Sequence, residues 1–137
     1  MITRFSWPRL WRTAFWALAA TTLWMSLVPV DQIPSAFNFW DKAQHTLGFI
    51  ALTGMGLLAY PSRPRTLVIG LMLFGAGIEC AQALSGWRQG DWQDWVADAV
   101  GIALGVAGQA GCKRFLARRT SAALAGSAMA SNSNKTL

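Results

Sequence analysis

The sequence predicts an all-α, polytopic membrane protein: a bundle of four transmembrane helices with both termini in the cytoplasm. Of its 137 residues, 53% are apolar and only 13% are charged, whereas a soluble domain carries about 25% charged residues. The apolar residues are concentrated in four stretches, and most basic residues lie outside them. These observations indicate that the lipid bilayer, rather than water, is the main solvent of the chain.

The four apolar stretches cover residues 13–30, 46–60, 66–84 and 92–110. Crossing a bilayer takes about 17 to 25 residues, so the first, third and fourth are long enough. The second is short, but Asp41, Lys42 and His45 can form a polar first turn that extends its helix. Because lipid offers no partners to backbone polar groups, each spanning stretch is expected to be helical. The first stretch exceeds the usual core of a signal peptide, so we expect it to remain as an anchor.

Basic residues predict the orientation of the helices. Ten of the twelve lie on one side, in the amino-terminal arm, the 61–65 loop and the tail. Only Lys42 and Arg88 lie on the other side. Lysine and arginine accumulate on the cytoplasmic side of membrane proteins, so both termini are predicted to be cytoplasmic.

Three parts make up the predicted domain organisation. Residues 1–12 form a basic cytoplasmic arm, residues 13–112 form the transmembrane domain, and residues 113–137 form a cytoplasmic tail that is basic and then disordered. The tail is rich in Ala, Ser and Asn without a periodic apolar face. The basic residues lie beside apolar stretches, where they can meet lipid headgroups. No nucleic-acid-binding module is recognisable, so no nucleic-acid partner is expected.

The acidic residues are gathered on the side opposite the basic ones, together with the single histidine, His45. The positive-inside rule does not explain this, because acids contribute little to orientation. Helical geometry places the polar residues of each helix on one narrow face, within about 60° to 100°. These faces are Asp41, Lys42 and His45 on the second helix, Gly75, Glu79, Gln82 and Gly86 on the third, and Asp91, Asp94, Asp98, Gly101 and Gly105 on the fourth.

Small residues suggest where helices approach closely. Gly101 and Gly105 form a GxxxG spacing, which favours either internal helix packing or the seam of a homo-oligomer. In both cases the glycine face points toward protein and carries the nearby acids away from lipid. Cys80 and Cys112 do not indicate a disulfide framework, and we interpret both as small packing residues.

Glu79 is the most informative polar residue, because an ionised carboxylate inside an apolar stretch is costly unless it is paired or hydrated. It indicates either a buried ion-pair network or a ligand site. His45 and Glu79 are the candidates for acid and base catalysis. Carboxylates with one imidazole do not define a metal site by sequence, so no metal and no cofactor are expected. No nucleophile elbow, phosphate loop or zinc-protease signature is present, which favours binding over catalysis.

The polar residues also form an ordered pattern: Asp41-Lys42-x-x-His45, then Glu79-x-x-Gln82, then Arg88, and Asp94-x-x-x-Asp98-x-x-Gly101-x-x-x-Gly105. This pattern, over about residues 38 to 110, resembles the VanZ-like family of small bacterial integral membrane proteins. The resemblance implies a multi-pass protein of the cytoplasmic (inner) membrane with a role in the cell envelope. The family's familiar member is associated with resistance to the glycopeptide teicoplanin. Asp98 stands where asparagine is common in the family, which makes this site more acidic.

We therefore expect a polar pocket, facing away from the cytoplasm, that binds an envelope component such as a lipid-linked wall precursor or a phospholipid headgroup. Lys42 and Arg88 are expected to engage phosphate or carboxylate. The expected ligand-binding residues are Asp41, Lys42, His45, Glu79, Gln82, Arg88, Asp94 and Asp98. One alternative is a membrane-embedded acid/base enzyme that acts on a lipid-linked substrate. Another is an assembly factor whose polar residues only fasten the helices.

Overall fold

The structure, a computed structural model, describes residues 7–29 and 41–133, without the side chains of Asp41 and residues 122–133. These residues form four helices and no strand, so the predicted all-α class is confirmed for the described part of the chain. The helices are α1 (Trp7–Leu27), α2 (Asp41–Ala59), α3 (Pro64–Ser85) and α4 (Trp92–Ser133).

Local chemistry explains where the helices begin and end. The second helix begins at Asp41, as expected if the polar residues form its first turn. Pro64 opens α3 at a position where its missing N–H has no intrahelical partner to lose. Gly86 ends α3 with φ at 81°, a left-handed conformation that a Cβ would strain. This turn directs the chain into the short loop that leads to α4.

The fourth helix is much longer than the sequence predicts. From residue 113 the sequence predicts a tail that is basic and then disordered, whereas α4 continues to Ser133. The added segment is rich in alanine and contains no proline, and alanine is the strongest helix former. The missing apolar periodicity therefore indicates a helix without a packed face. The chain divides into two units at residues 106 and 107, and side chains from Ala107 to Ser121 are almost all exposed.

An apolar core joins the helices of the first unit, residues 1–106. Phe15 of α1 contacts Tyr60 edge-on, with ring centroids 5.9 Å apart. Gly56 allows α2 and α3 to approach, since a Cβ there would lie 2.6 Å from Leu67 Cδ1. The core consists of Phe15, Ala19, Phe49, Leu52, Leu57, Ala59, Leu67, Leu71, Ile78 and Ile102. These contacts hold the ends of the helices, and their polar residues, in fixed positions.

The outward faces of α3 and α4 are apolar as well. Pro64–Ser85 and Trp92–Ser121 have mean hydropathies of 1.8 and 1.3, and only 28% and 22% of the respective windows are buried. The core helix of a soluble protein would be mostly buried instead. Large exposed apolar side chains include Ile69, Leu73, Leu84, Val100 and Leu104. Two of the four expected spans are therefore long and apolar enough to cross a membrane, while α1 and α2 fall below the same combination of length and hydropathy.

The GxxxG glycines pack against α2 of the same chain. A Cβ at Gly101 would lie 2.5 Å from the Thr46 carbonyl oxygen, and one at Gly105 would lie 2.7 Å from Thr53 Cβ. The Thr46 hydroxyl also donates a hydrogen bond of 3.2 Å to the carbonyl of Ala97. Of the two alternatives that the spacing left open, the structure shows internal packing. This glycine face is therefore already used within the chain.

The two cysteines have a different environment from the one the sequence suggested. Both Cys80 and Cys112 are free thiols with exposed side chains. Their interpretation as packing residues was therefore wrong, because an apolar stretch on a helix does not distinguish an inward face from an outward one when both faces are apolar.

Candidate functional site

Polar side chains meet at one end of the first unit, where α2 and α4 begin and α3 ends; we call this the polar end. The ends of these three helices lie close together, so residues distant in sequence become neighbours. The polar end contains two groups. The lysine cluster consists of Lys42, Asp91 and Asp94. The buried triad consists of the buried His45 and Asp98 and the half-buried Glu79.

In the lysine cluster one ammonium group faces two carboxylates. Lys42 Nζ donates to Asp91 Oδ2 at 3.0 Å and to Asp94 Oδ1 at 2.9 Å. The Asp94 side chain is 5% exposed, whereas Lys42 and Asp91 remain 30% and 38% exposed. Asp94 lies in the first turn of α4, where the helix dipole favours a negative charge. With one positive and two negative groups, the cluster is acidic overall and open on one side.

Asp91 connects three parts of the polar end, although the sequence-based site did not include it. Its carboxylate accepts a hydrogen bond of 2.8 Å from the Gln93 backbone N–H, and its own N–H donates to Glu79 Oε2 at 2.8 Å. The Gln93 bond, followed by the Lys42 bond, holds the pKa of the Asp91 carboxyl below its usual value. An aspartate directly before a helix is a favoured cap, and that signal could have identified it.

The buried triad brings together one residue from each of α2, α3 and α4. His45 Nδ1 lies 2.9 Å from Asp98 Oδ1. An ionised carboxylate can only accept, so in that state Nδ1 carries the hydrogen. One potential ligand atom from each of His45, Glu79 and Asp98 lies within 4.8 Å of the others. The sequence-based expectation that the histidine and the acids of neighbouring helices form one site is therefore consistent with the geometry.

A glycine on α3 makes room for the triad. A Cβ at Gly75 would lie 2.5 Å from Asp98 Oδ2, so the absence of a side chain there lets the carboxylate reach α3. Glu79 lies one turn further along the same face. Among the described residues, Asp98 Oδ2 and Glu79 Oε1 are buried oxygens without a hydrogen-bond partner. Thr53 Oγ1 and Gln82 Oε1 are buried without a partner as well, but in the triad two such oxygens, both of carboxylates, lie in one group. Buried polar atoms are usually satisfied, so this pair of oxygens favours a role beyond helix packing.

Two residues of the expected pocket face α1 instead. Gln82 Nε2 donates to the Ser26 carbonyl at 2.9 Å. Arg88 donates through Nε and Nη2 to the Val28 carbonyl at 3.3 Å, and Nη2 also lies 3.4 Å from the Met25 carbonyl oxygen. The last carbonyls of a helix lack intrahelical donors, so both side chains complete the end of α1. The side chain of Asp41 lies outside the described residues.

Replacing Arg88 with glutamine is expected to loosen the end of α1. The variant loses the guanidinium bonds to the carbonyls of Met25, in α1, and Val28, just after it. We expect this to cost about 1 to 2 kcal/mol, since hydrogen bonds to a charged group are stronger than neutral ones. Hydrogen exchange measured by mass spectrometry should speed up in the last turn of α1. Arg65→Gln, which removes an exposed arginine at the start of α3, is the control and should leave that exchange unchanged.

A groove of about 580 Å³ lies between α2 and α4 and reaches the lysine cluster. Its wall is apolar over most of its length, and Lys42 lies at one end. The lining residues are Lys42, Ala43, Thr46, Leu47, Trp92, Gln93, Val96, Ala97 and Val100. A charged group at the end of an apolar groove suits an amphiphilic molecule.

No protein-family model, no curated protein and no solved structure matches this chain. The resemblance to the VanZ-like family therefore rests on the residue pattern. The chemistry of the site follows from its own geometry.

Proposed function

We propose that this chain is an integral membrane protein that binds an envelope lipid, with the headgroup at the lysine cluster and an acyl chain in the groove between α2 and α4. One observation carries the proposal: the groove joins an apolar wall to a group of opposite charges. Headgroup charges can pair with the cluster while the acyl chain covers Val96 and Val100, which are exposed.

In this proposal all four helices cross the membrane and both termini are cytoplasmic. The outward apolar faces of α3 and α4 support membrane insertion, and the ten basic residues against two support the orientation. The polar end then faces away from the cytoplasm. The resemblance to the VanZ-like family agrees with an envelope role, and it extends the proposal to an effect on teicoplanin susceptibility.

The charges of the cluster favour a zwitterionic headgroup that carries an amine. Lys42 can donate to a lipid phosphate, and the partly exposed Asp91 can accept from a lipid ammonium group. A purely anionic headgroup would also meet the carboxylates of Asp91 and Asp94 at close range, and like charges repel. An amine-bearing phospholipid is therefore the preferred ligand within the expected class.

Native mass spectrometry of the full chain, purified in mild detergent from vesicles that contain phosphatidylethanolamine, tests this site. Ala43→Trp fills the groove, and Lys42→Gln removes the ammonium group. Both variants are expected to lose a retained lipid that the wild type keeps, measured on the folded fraction after size exclusion. The matched controls are Ile69→Trp, on an exposed position of α3, and Lys113→Gln, which removes a lysine elsewhere.

Equal lipid retention in the wild type and Ala43→Trp would contradict the groove. If Ala43→Trp loses the lipid but Lys42→Gln keeps it, the acyl chain in the groove is supported and the role of Lys42 in binding the headgroup is rejected. If the wild type retains no lipid, the lysine cluster serves to fasten α2 to α4, and the assembly-factor alternative is favoured.

A second candidate function is acid/base catalysis on a lipid-linked substrate. The hydrogen bond of 2.9 Å between His45 and Asp98, with Glu79 nearby, is the arrangement that favours it, because a carboxylate orients and activates an imidazole. This candidate requires turnover by the purified protein and loss of turnover in a folded His45→Ala variant.

A further inference from the structure

We propose that the buried triad binds a divalent first-row transition-metal ion. The triad offers one imidazole and two carboxylates from three different helices, with potential ligand atoms within 4.8 Å of one another. An ion at this position would join α2, α3 and α4. The proposal concerns a different group of residues from the lysine cluster and does not depend on lipid binding.

The distances suit an ion placed between His45 and Asp98. Metal bonds to imidazole nitrogen and carboxylate oxygen are about 2.0 to 2.2 Å long, which places two neighbouring ligands of one ion about 3 Å apart. His45 Nδ1 and Asp98 Oδ1 are 2.9 Å apart. The ion would lie to one side of the line between these two atoms, and His45 would give up its Nδ1 hydrogen; the spacing of 2.9 Å suits two ligands at about a right angle around the ion.

Glu79 supplies the third ligand. Its Oε2 is held by the Asp91 N–H, while Oε1 is buried and has no hydrogen-bond partner among the described residues. A glutamate side chain has three rotatable bonds, so Oε1 can shorten its distance to the ion without movement of α3. The bond to Asp91 acts as an outer contact that orients the carboxylate, a common feature of metal ligands.

The charge balance favours a cation at the triad. Asp98 is fully buried, its Oδ2 is without a partner in the described part of the chain, and Glu79 brings a second carboxylate close to it. When both carboxylates are ionised and the imidazole is neutral, the triad carries two negative charges, which are costly in an environment of low dielectric constant. A divalent ion would balance both charges. The lysine cluster does not supply this balance, because Lys42 is paired with Asp91 and Asp94.

The donor set restricts the type of metal. Imidazole nitrogen favours zinc, iron and similar ions over magnesium and calcium, which prefer oxygen ligands throughout, and carboxylates also suit manganese. Three protein ligands leave further coordination positions for water or for an oxygen of a bound molecule, as in catalytic rather than structural zinc sites. Zn²⁺ and Mn²⁺ are therefore suitable probes.

The first experiment measures metal binding by the wild-type chain without an affinity tag of histidines. After treatment with a chelator and dialysis against Zn²⁺, elemental analysis is expected to find one ion per chain. With Mn²⁺, pulsed electron paramagnetic resonance is expected to show coupling to an imidazole nitrogen. The chain contains one histidine, so this signal can come only from His45. Absence of both the retained ion and the nitrogen coupling would overturn the proposal.

Two variants then locate the site. Asp98→Asn and Glu79→Gln each remove a charged ligand at nearly constant size, and each is expected to weaken Zn²⁺ binding by about 10-fold to 100-fold. The comparison variant is Asp94→Asn, because Asp94 is a buried aspartate one turn away that lies outside the triad and acts on it only through its charge; its loss of Zn²⁺ binding is expected to be smaller than that of the two ligand variants. Equal losses in all three variants would indicate general destabilisation or binding elsewhere and would reject the triad. If a variant fails to fold, the metal-binding measurement on the wild-type chain can still disprove the proposal.

Discussion

Replacing Gly101 with alanine is expected to destabilise the protein by about 1 to 3 kcal/mol, the usual range for an overpacked core. The added Cβ would lie 2.5 Å from the Thr46 carbonyl oxygen and 2.9 Å from Phe49 Cβ. A backbone carbonyl inside α2 cannot rotate away as the end of a flexible side chain can. The only relief is a displacement of α4 from α2, which also stretches the contacts of both polar groups.

Gly77 provides a control of opposite sign. It lies within α3, it is exposed, and a Cβ there would meet nothing within 4 Å. Gly77→Ala is therefore expected to keep or raise stability, by up to about 1 kcal/mol, since alanine favours helix over glycine. Unfolding by a denaturing detergent in mixed micelles, followed by circular dichroism, measures both variants. Similar effects of the two substitutions on stability would contradict the close contact between Gly101 and α2.

Replacing Lys42 with methionine is expected to destabilise the protein and lower its thermal unfolding temperature. The variant leaves Asp94, whose side chain is only 5% exposed, without its counter-ion. Breaking a fully buried ion pair by removing one partner costs about 3 to 5 kcal/mol. Lys42 is 30% exposed, so water screens part of the interaction and the loss is expected to be smaller than that. Thermal unfolding in detergent is the measurement.

The double variant Lys42→Met/Asp94→Asn separates the lost pair from lost packing. Once Asp94 is neutral, no unpaired charge remains buried in the cluster, so the double variant is expected to recover most of the stability that Lys42→Met loses. Lys113→Met, which removes an exposed lysine of α4, should change stability by no more than about 0.5 kcal/mol. Additive losses in the double variant would be inconsistent with a bridge between Lys42 and Asp94.

The helices could be predicted from the sequence because apolar stretches and their polar flanks determine them locally. The polar first turn of α2 occurs where the pattern indicated, and α3 covers the predicted stretch 66–84 with two more residues at its start. The length of α4 could not be predicted in the same way. Apolar periodicity reports a face that packs, and residues 107–121 form a helix whose side chains are largely exposed.

The candidate site could be predicted in part. Helical spacing placed His45, Asp94 and Asp98 on faces that point toward protein, and the structure brings His45 to Asp98 and Lys42 to Asp94. The partner of Arg88 could not be predicted, because it depends on how the loop after Gly86 turns toward α1. Periodicity gives the direction of a side chain on its own helix, and it gives no information about which end of another helix lies opposite.

The way α1 ends bears on the order of events during synthesis. Its last carbonyls receive hydrogen bonds from Gln82 and Arg88, which are made 56 or more residues later. Trp87 adds a third such bond, to the carbonyl of Leu27. While the ribosome is still adding α2 and α3, the end of the first helix lacks these donors. The end of α1 therefore receives its full set of hydrogen bonds only after the loop before α4 has been translated.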